Sequence, residues 1–217
     1  MATALYNVHP RLKLFVLSEA SNQRSRDNIV VTQTGTAIDS GTLLTKVDTG
    51  TAAFAMDAGA TGNPTSGTIT VGAAAMPGVY TVEFTAATKF TVEAPDGVTV
   101  GTGTLGSAFN KGGLSFTLTA GGTPAVAGDT AKITVAAGSN KYVVYTADGA
   151  AGPADAILYQ TLPAATGDAK AVGFTRDCEV NRFELTGLDA VGEAGLAQKG
   201  IICRSNTAVL GISTPAL

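Results

Sequence analysis

Gly78-Val79-Tyr80-Thr81-Val82-Glu83-Phe84 alternates strictly: Tyr80, Val82 and Phe84 share one face of an extended chain, and Thr81 and Glu83 share the other. One face of such a strand builds a core, and the surrounding sequence repeats the device. Gly67-Thr68-Ile69-Thr70-Val71 precedes it; Lys89-Phe90-Thr91-Val92-Glu93, Leu114-Ser115-Phe116-Thr117-Leu118 and Ala131-Lys132-Ile133-Thr134-Val135 follow. Turn chemistry separates these runs. In Pro95-Asp96-Gly97 the proline presets φ and the glycine accepts φ > 0, while Gly112-Gly113 and Gly121-Gly122 punctuate the later strands. Short strands without a helical period over residues 51–137 predict a small β-sandwich or open barrel. Its entrance, Phe54-Ala55-Met56-Asp57-Ala58-Gly59-Ala60-Thr61-Gly62-Asn63-Pro64, reads as a linker.

Both flanks carry further strands. Ile29-Val30-Val31-Thr32 and Thr42-Leu43-Leu44-Thr45-Lys46-Val47 are β-branched or apolar runs joined through Gly35 and Gly41. Ahead of them stand an apolar patch (Leu12, Leu14, Phe15, Val16, Leu17) and a polar stretch from Ser18 to Asp27 with no clear period. Such a segment reads as an arm that orders on a partner. After the central unit come Lys141-Tyr142-Val143-Val144-Tyr145, a turn at Asp148-Gly149, Ala156-Ile157-Leu158-Tyr159, the run Ala169 to Thr175, and a last strand, Ile201-Ile202-Cys203. Leu188 to Lys199 is the one convincing helix. Thr186 or Asp189 caps it, Val191, Leu196 and several alanines give an apolar stripe, and Gly200 stops it. Gly192 and Gly195 each cost this helix about 1 kcal/mol relative to alanine, so it relies on docking. The tail from Ser205 to Leu217 carries no strong period.

Composition restricts the function. The 217 residues suffice for a sizeable core and favour two units. Charged residues make up 14%, against about 25% in a typical soluble protein, which leaves a neutral surface suited to contact with other protein. A net charge of −3 and a pI near 5.1 give no basic field, so direct nucleic-acid binding is disfavoured. The run Leu12–Leu17 is too short to span a bilayer and residues 1–10 lack a basic leader, so no membrane partner is expected and synthesis in the cytosol is. Cys178 and Cys203 form no disulfide framework and read as small buried hydrophobes. No metal or cofactor is expected.

Catalysis finds no starting point. His9, the single histidine, sits beside Pro10 in the arm without an orienting partner. Nucleophile-elbow, phosphate-loop and zinc-protease motifs do not occur. Asp177, Glu179 and Glu184 near Arg176 and Arg182 evoke the paired carboxylates of glycoside chemistry, but a charged strand-to-helix connection making surface or intersubunit ion pairs explains them more simply. Arg24 and Arg26 suit either an acidic patch on a partner or the solubility of the arm. Asp129, after Gly128, reads as a turn residue, since no loop of alternating oxygen ligands surrounds it.

Residues about 26–50 and 138–204 resemble the lambda-type head decoration proteins of tailed phages. The resemblance rests on Ser25-Arg26-Asp27 leading into Ile29-Val30-Val31; on Gly41-Thr42-Leu43-Leu44-Thr45-Lys46-Val47; on Lys141-Tyr142 with the Asp148-Gly149 turn; and on Ala156-Ile157-Leu158-Tyr159. Its most specific part is Ala169-Lys170-Ala171-Val172-Gly173-Phe174-Thr175-Arg176-Asp177-Cys178-Glu179-Val180-Asn181-Arg182, followed after a short helix by Lys199-Gly200-Ile201-Ile202-Cys203-Arg204. Residues 51–137 interrupt the pattern as an insertion of immunoglobulin-like or related β character, which a surface turn tolerates because loop entropy grows slowly with length.

The resemblance implies a mainly β chain: a decoration-protein β domain with one short helix, interrupted by an inserted small β-sandwich-like domain. Its expected organisation is a capsid-binding arm (1–27), a core from 28–50 and 138–204, the insert (51–137) and a tail (205–217). The implied partners are the major capsid protein and two further copies of the chain, the trimer seating on the outer surface of an expanded head and stabilising it against internal DNA pressure. Leu12, Leu14, Phe15, Val16, Arg24 and Arg26 are the expected capsid contacts, and Arg176, Glu179, Asn181 and Arg182 the expected intersubunit contacts. The alternative is a virion-surface adhesion module whose insert binds host glycans.

Overall fold

The structure is a computed structural model that describes residues 15–20, 24–147 and 152–205. Leu12, Leu14, His9, the Asp148-Gly149 turn and all of the tail beyond Ser205 lie outside these. In chain order the strands are β1 (Val16–Glu19), β2 (Arg26–Thr34), β3 (Leu43–Lys46), β4 (Thr49–Met56), β5 (Thr65–Ser66), β6 (Thr70–Val71), β7 (Gly78–Ala86), β8 (Lys89–Glu93) and β9 (Thr99–Thr104). They continue with β10 (Ala108–Lys111), β11 (Leu114–Thr119), β12 (Thr130–Ala137), β13 (Tyr142–Val144), β14 (Ala156–Leu158), β15 (Thr166–Phe174), β16 (Cys178–Asn181) and β17 (Ile201–Arg204). One α-helix, α1 (Ala190–Gln198), lies between the last two strands. The fold is mainly β, as expected.

The chain divides into two compact units, one from residues 1–46 and 141–217 and the other from residues 47–140. In the second unit a five-stranded sheet, β4-β12-β7-β8-β9, faces a smaller sheet in which β10, β5 and β6 all pair with β11. Tyr80, Val82 and Phe84 of β7 are buried between them, as their alternation predicts. Each such burial stabilises the fold by about 1.5–3 kcal/mol. Phe90, Phe109 and Phe116 pack with them, the last two stacked at 4.9 Å between ring centroids. Tyr80 keeps its buried hydroxyl satisfied by accepting the Met76 N–H at 2.8 Å. The β10–β11 hairpin turns through Gly112 and Gly113 at φ of 58° and 76°, the left-handed pair that only glycine adopts cheaply. Three consecutive strands, β7-β8-β9, are neighbours in one sheet.

Several local expectations are corrected here. The stretch from Phe54, read as a linker, holds the end of β4, which pairs along its length with β12. Its alanine-rich composition hid an alternation in which Ala52, Phe54 and Met56 are half-buried against the core. Of the strand expected over Gly67–Val71 only Thr70–Val71 forms, as β6, and the separate short strand β5 lies ahead of it at Thr65–Ser66. Strand β9 was invisible because Gly101 and Gly103 replace apolar residues. At Gly103 a Cβ would lie 2.3 Å from Phe90 Cζ, so the phenylalanine ring occupies the place of the missing side chain.

The first unit closes β13-β2-β15-β14-β3 into a barrel, with β15 and β2 paired over nine residue positions. Ile29, Val31, Leu44 and Leu158 fill one cluster of its core. A second cluster, containing Phe15, Leu43, Phe174, Val180 and Leu196, lies under a three-stranded sheet of order β1-β16-β17. The polar stretch expected to be a structureless arm therefore contributes β1 and the start of β2, and Ser25 within it is fully buried.

Helix α1 is shorter than Leu188–Lys199. Asp189 is the N-cap, its carboxylate accepting the Gly192 N–H at 2.6 Å. Val191, expected to face the core, is 50% exposed, while Gly192, Gly195 and Leu196 are the buried residues. The two glycines that weaken the isolated helix are what lets it dock. A Cβ at Gly195 would stand 2.7 Å from the Ala154 carbonyl oxygen.

Candidate interaction surface

The expected capsid and intersubunit residues are far apart in sequence, yet the described ones meet at one corner of the first unit. Strand β1 pairs antiparallel with β16, with Val16 opposite Val180 and Ser18 opposite Glu179, and β16 runs parallel to β17. Alternation gives this sheet two faces. Inward, Cys178, Val180 and Ile201 are buried with Phe15, whose ring meets Phe174 edge-on at 5.6 Å. Outward, Glu179 accepts hydrogen bonds from Ser18 Oγ at 3.2 Å and from Arg204 Nη2 at 2.6 Å. Arg204, then Ser18, holds the Glu179 carboxyl below its ordinary pKa. Ile202, between these polar groups, is 46% exposed.

The expected contact residues play unequal parts. Phe15 is a core group, 2% exposed, and its carbonyl accepts the Asn181 N–H at 2.6 Å. Val16 is half-buried against the same cluster. Arg26 forms a two-pronged pair with Glu19 at 2.7 and 3.0 Å, and its guanidinium lies 5.0 Å from the centre of the Tyr159 ring. That geometry locks the start of β2 onto β1. Arg24, in contrast, makes only an exposed pair with Asp177 at 3.3 Å, of the kind that adds little stability. Arg176 bonds to Asp27, whose carboxyl is held low first by the Thr175 hydroxyl at 2.6 Å and then by Arg176.

Asn181 is buried. Its side chain accepts the Phe183 N–H and caps the single turn of 3-10 helix over Arg182–Glu184, while Arg182 pairs with Glu193 of α1 at 3.0 Å. Two participants, Ser25 and Phe183, were given no role at this corner by the sequence reading. Ser25 Oγ donates to the Asp177 carbonyl at 2.8 Å and accepts the Ala20 N–H, tying the arm's root to the β15–β16 turn. Asp177 itself adopts a left-handed conformation, φ 45°, that aims this carbonyl. Phe183, 63% exposed on its capped turn, is the most exposed large apolar side chain among the described residues. An aromatic left in water beside charged residues was the available signal.

Cys178 is buried and Cys203 half-buried, both as free thiols; burial pushes the Cys178 thiol up to about 12 and raises that of Cys203. Among the described residues no three His, Cys, Asp or Glu side chains converge as metal ligands, and no helix is long and apolar enough to cross a membrane. Asp129 is a turn anchor, its carboxylate accepting the N–H groups of Thr61, Gly62 and Val126, with Val126 the largest influence holding its pKa low.

A family model described as bacteriophage lambda head decoration protein D matches residues 6–201. No curated protein matches the chain. Among solved structures, FlgL of Xanthomonas campestris is 22% identical at a TM-score of 0.33, over 46% of this chain and 33% of that one. The flagellar hook junction protein FlgK of Burkholderia pseudomallei is 26% identical at a TM-score of 0.34, over 55% of this chain and 21% of that one. The chain thus spans a third or less of the length of these flagellar proteins.

Proposed function

We propose, from the premise that this chain belongs to the bacteriophage lambda head decoration protein D family, that it binds the outer surface of the expanded head as a trimer and stabilises the shell against internal DNA pressure. The observation that carries the reading is the corner just described, where β1 is an edge strand rooted in the core by Phe15 and leads directly to the residues before it. An extended segment entering such an edge can add a strand to a coat-protein sheet through main-chain hydrogen bonds, with Leu12 and Leu14 as side-chain anchors. Three such arms on one trimer act with avidity. A ligand that binds only the expanded shell shifts the equilibrium toward it.

The neighbouring surface supports self-association. Phe183 supplies an exposed apolar anchor, and Arg176, Glu179 and Arg182 hold their charges at the same corner in internal pairs that present both signs to a neighbour. Asn181 serves this surface indirectly by fixing the turn that carries Phe183. The test mixes purified protein with expanded, decoration-free heads. Binding, with a gain in resistance to heat or chelator that is lost on deleting residues 1–14, is expected; heads that neither bind nor gain resistance refute the proposal.

A further inference from the structure

The inserted unit protects one edge of its five-stranded sheet and leaves the other bare. Lys111 lies across β9: its ammonium donates to the Thr102 carbonyl at 3.5 Å, and its Cδ stands 2.6 Å from where a Cβ on Gly101 would be. A lysine so placed guards an edge against strand addition. Strand β4, at the far edge, pairs only with β12 among the described residues and contains neither lysine nor proline. A cleft of about 600 Å3 separates residues 51–56 from residues 64–69, and neither side of it carries a charged residue.

The ladder fixes which groups of β4 face outward. Asp57 N–H donates to the Thr130 carbonyl at 3.0 Å, and the register places Ala55 opposite Lys132 and Ala53 opposite Thr134. Antiparallel partners alternate between bonded and non-bonded pairs, so Ala55 and Ala53 bond to β12 while Ala52, Phe54 and Met56 turn their N–H and C=O groups to the open edge. These three positions are symmetric about Phe54. Turned end for end about an axis through Phe54, the edge therefore complements itself: Phe54 falls opposite Phe54 and Ala52 opposite Met56, each pair exchanging its N–H and C=O bonds. The side chains agree with this register. On the inner face, the half-buried Ala52, Phe54 and Met56 make apolar pairs with an aromatic pair at the centre. On the outer face Ala53 meets Ala55, and both are small, exposed and uncharged.

We propose that β4 is a self-association edge, which pairs antiparallel with β4 of a second copy of the chain about a twofold axis at Phe54 and joins the two five-stranded sheets into one. The occupant follows from the chemistry of the edge. An uncharged cleft rejects a charged strand, and the outward groups call for a partner that offers apolar side chains at three bonded positions; β4 itself offers that complement. A twofold contact uses the same patch on both copies and so closes at two, and with Lys111 across β9 the joined sheet does not grow further. Confined to one strand pair, the contact belongs to the small, transient class below about 1,200 Å2, and it gains strength where copies are held close together. It goes beyond the head binding proposed above, which does not depend on it.

Amide hydrogen exchange on the full chain at millimolar concentration tests this without any capsid. Ala53→Lys with Ala55→Lys sets like charges opposite each other across the axis. The outward amides of Ala52, Phe54 and Met56 are expected to exchange at least tenfold faster in that chain than in the parent, while the amides at positions 53 and 55, bonded to β12, stay protected in both and report that the sheet is intact. Mixing it with a chain carrying Ala53→Glu and Ala55→Glu restores the slow rates, which only a contact between copies can do. Ala53→Lys with Ala55→Glu places opposite charges face to face in this register and keeps the outward amides at least as slow as in the parent. Ala52→Pro removes one outward N–H without touching the β12 side, so it speeds the Phe54 amide at least tenfold even where the doubly charged chains fail to fold. Outward amides that exchange as fast in the parent as in the lysine or proline variant overturn the proposal. So does a mixture of the lysine and glutamate chains that recovers no protection, and a fast Lys–Glu variant overturns the axis at Phe54.

Discussion

Replacing Phe15 by alanine separates two roles for the root of the arm. As an exposed capsid contact, the side chain would cost the free protein nothing. In the structure it is 2% exposed, stands edge-on to Phe174 at 5.6 Å and packs in the cluster that contains Leu43, Val180 and Leu196. Truncating a buried phenylalanine costs about 3–5 kcal/mol, lost burial and the residual cavity together. Some 0.5–1.5 kcal/mol of that, roughly, belongs to the aromatic pair. With a urea slope of about 2 kcal/mol/M, the midpoint for the first unit falls by roughly 2 M. Because the two units need not unfold together, the readout must resolve them. Exchange protection in β15 and β16 drops while that in β7 and β8 is unchanged. Phe15→Leu, which refills most of the volume, costs less than about 1.5 kcal/mol. A Phe15→Ala protein as stable as its parent that nonetheless fails to bind heads would refute the assignment of this ring to the core.

Gly195→Ala is expected to destabilise by about 1 kcal/mol in urea titration, because overpacking of about 1–3 kcal/mol outweighs a helix-propensity gain of about 1 kcal/mol. Gly122→Ala, with nothing within 4 Å of the new methyl, is the neutral control. Asp57 and Asp129, both held below the ordinary carboxylate pKa of 3.8 in the folded state, contribute stability that is fully present above that value and lost as pH falls below it through their folded pKa values. An acid titration of residues 47–140 followed by amide exchange therefore shows its loss below about pH 4, and Asp129→Asn removes part of that slope from a less stable starting point. Replacing residues 47–140 by Asn-Gly leaves Lys46 opposite Tyr142 in a hairpin with a three-residue loop, and the shortened chain is expected to keep the β2–β15 exchange protection; a chain without protected amides refutes the independence of the first unit.

What was legible in the sequence was whatever one side chain in two announces. Strand β7 reads itself, since Tyr80, Val82 and Phe84 can share a core only in an extended chain, and the Gly112-Gly113 turn reads itself because few other pairs tolerate its backbone. Strands β4 and β9 did not, because alanine and glycine carry little hydrophobic contrast and their place is fixed by neighbours: Ile133 and Val135 of β12 for the one, the Phe90 ring for the other. Gly195 shows the same limit with the sign reversed. Local propensity counts it as a defect of α1, and only the Ala154 backbone beside it turns the absence of a side chain into a requirement. The interaction corner was half legible. Arg176, Glu179 and Arg182 stood out as charges in a chain with few, but a charge announces neither its partner nor its burial. Arg26 ends stacked on Tyr159, distant in sequence, and Phe15, which looked like a surface anchor, is what roots the arm. Because that root commits Phe15 to the fold, the function proposed above assigns contact with the shell to the residues ahead of it and to side chains such as Phe183 and Ile202 that the folded corner leaves exposed.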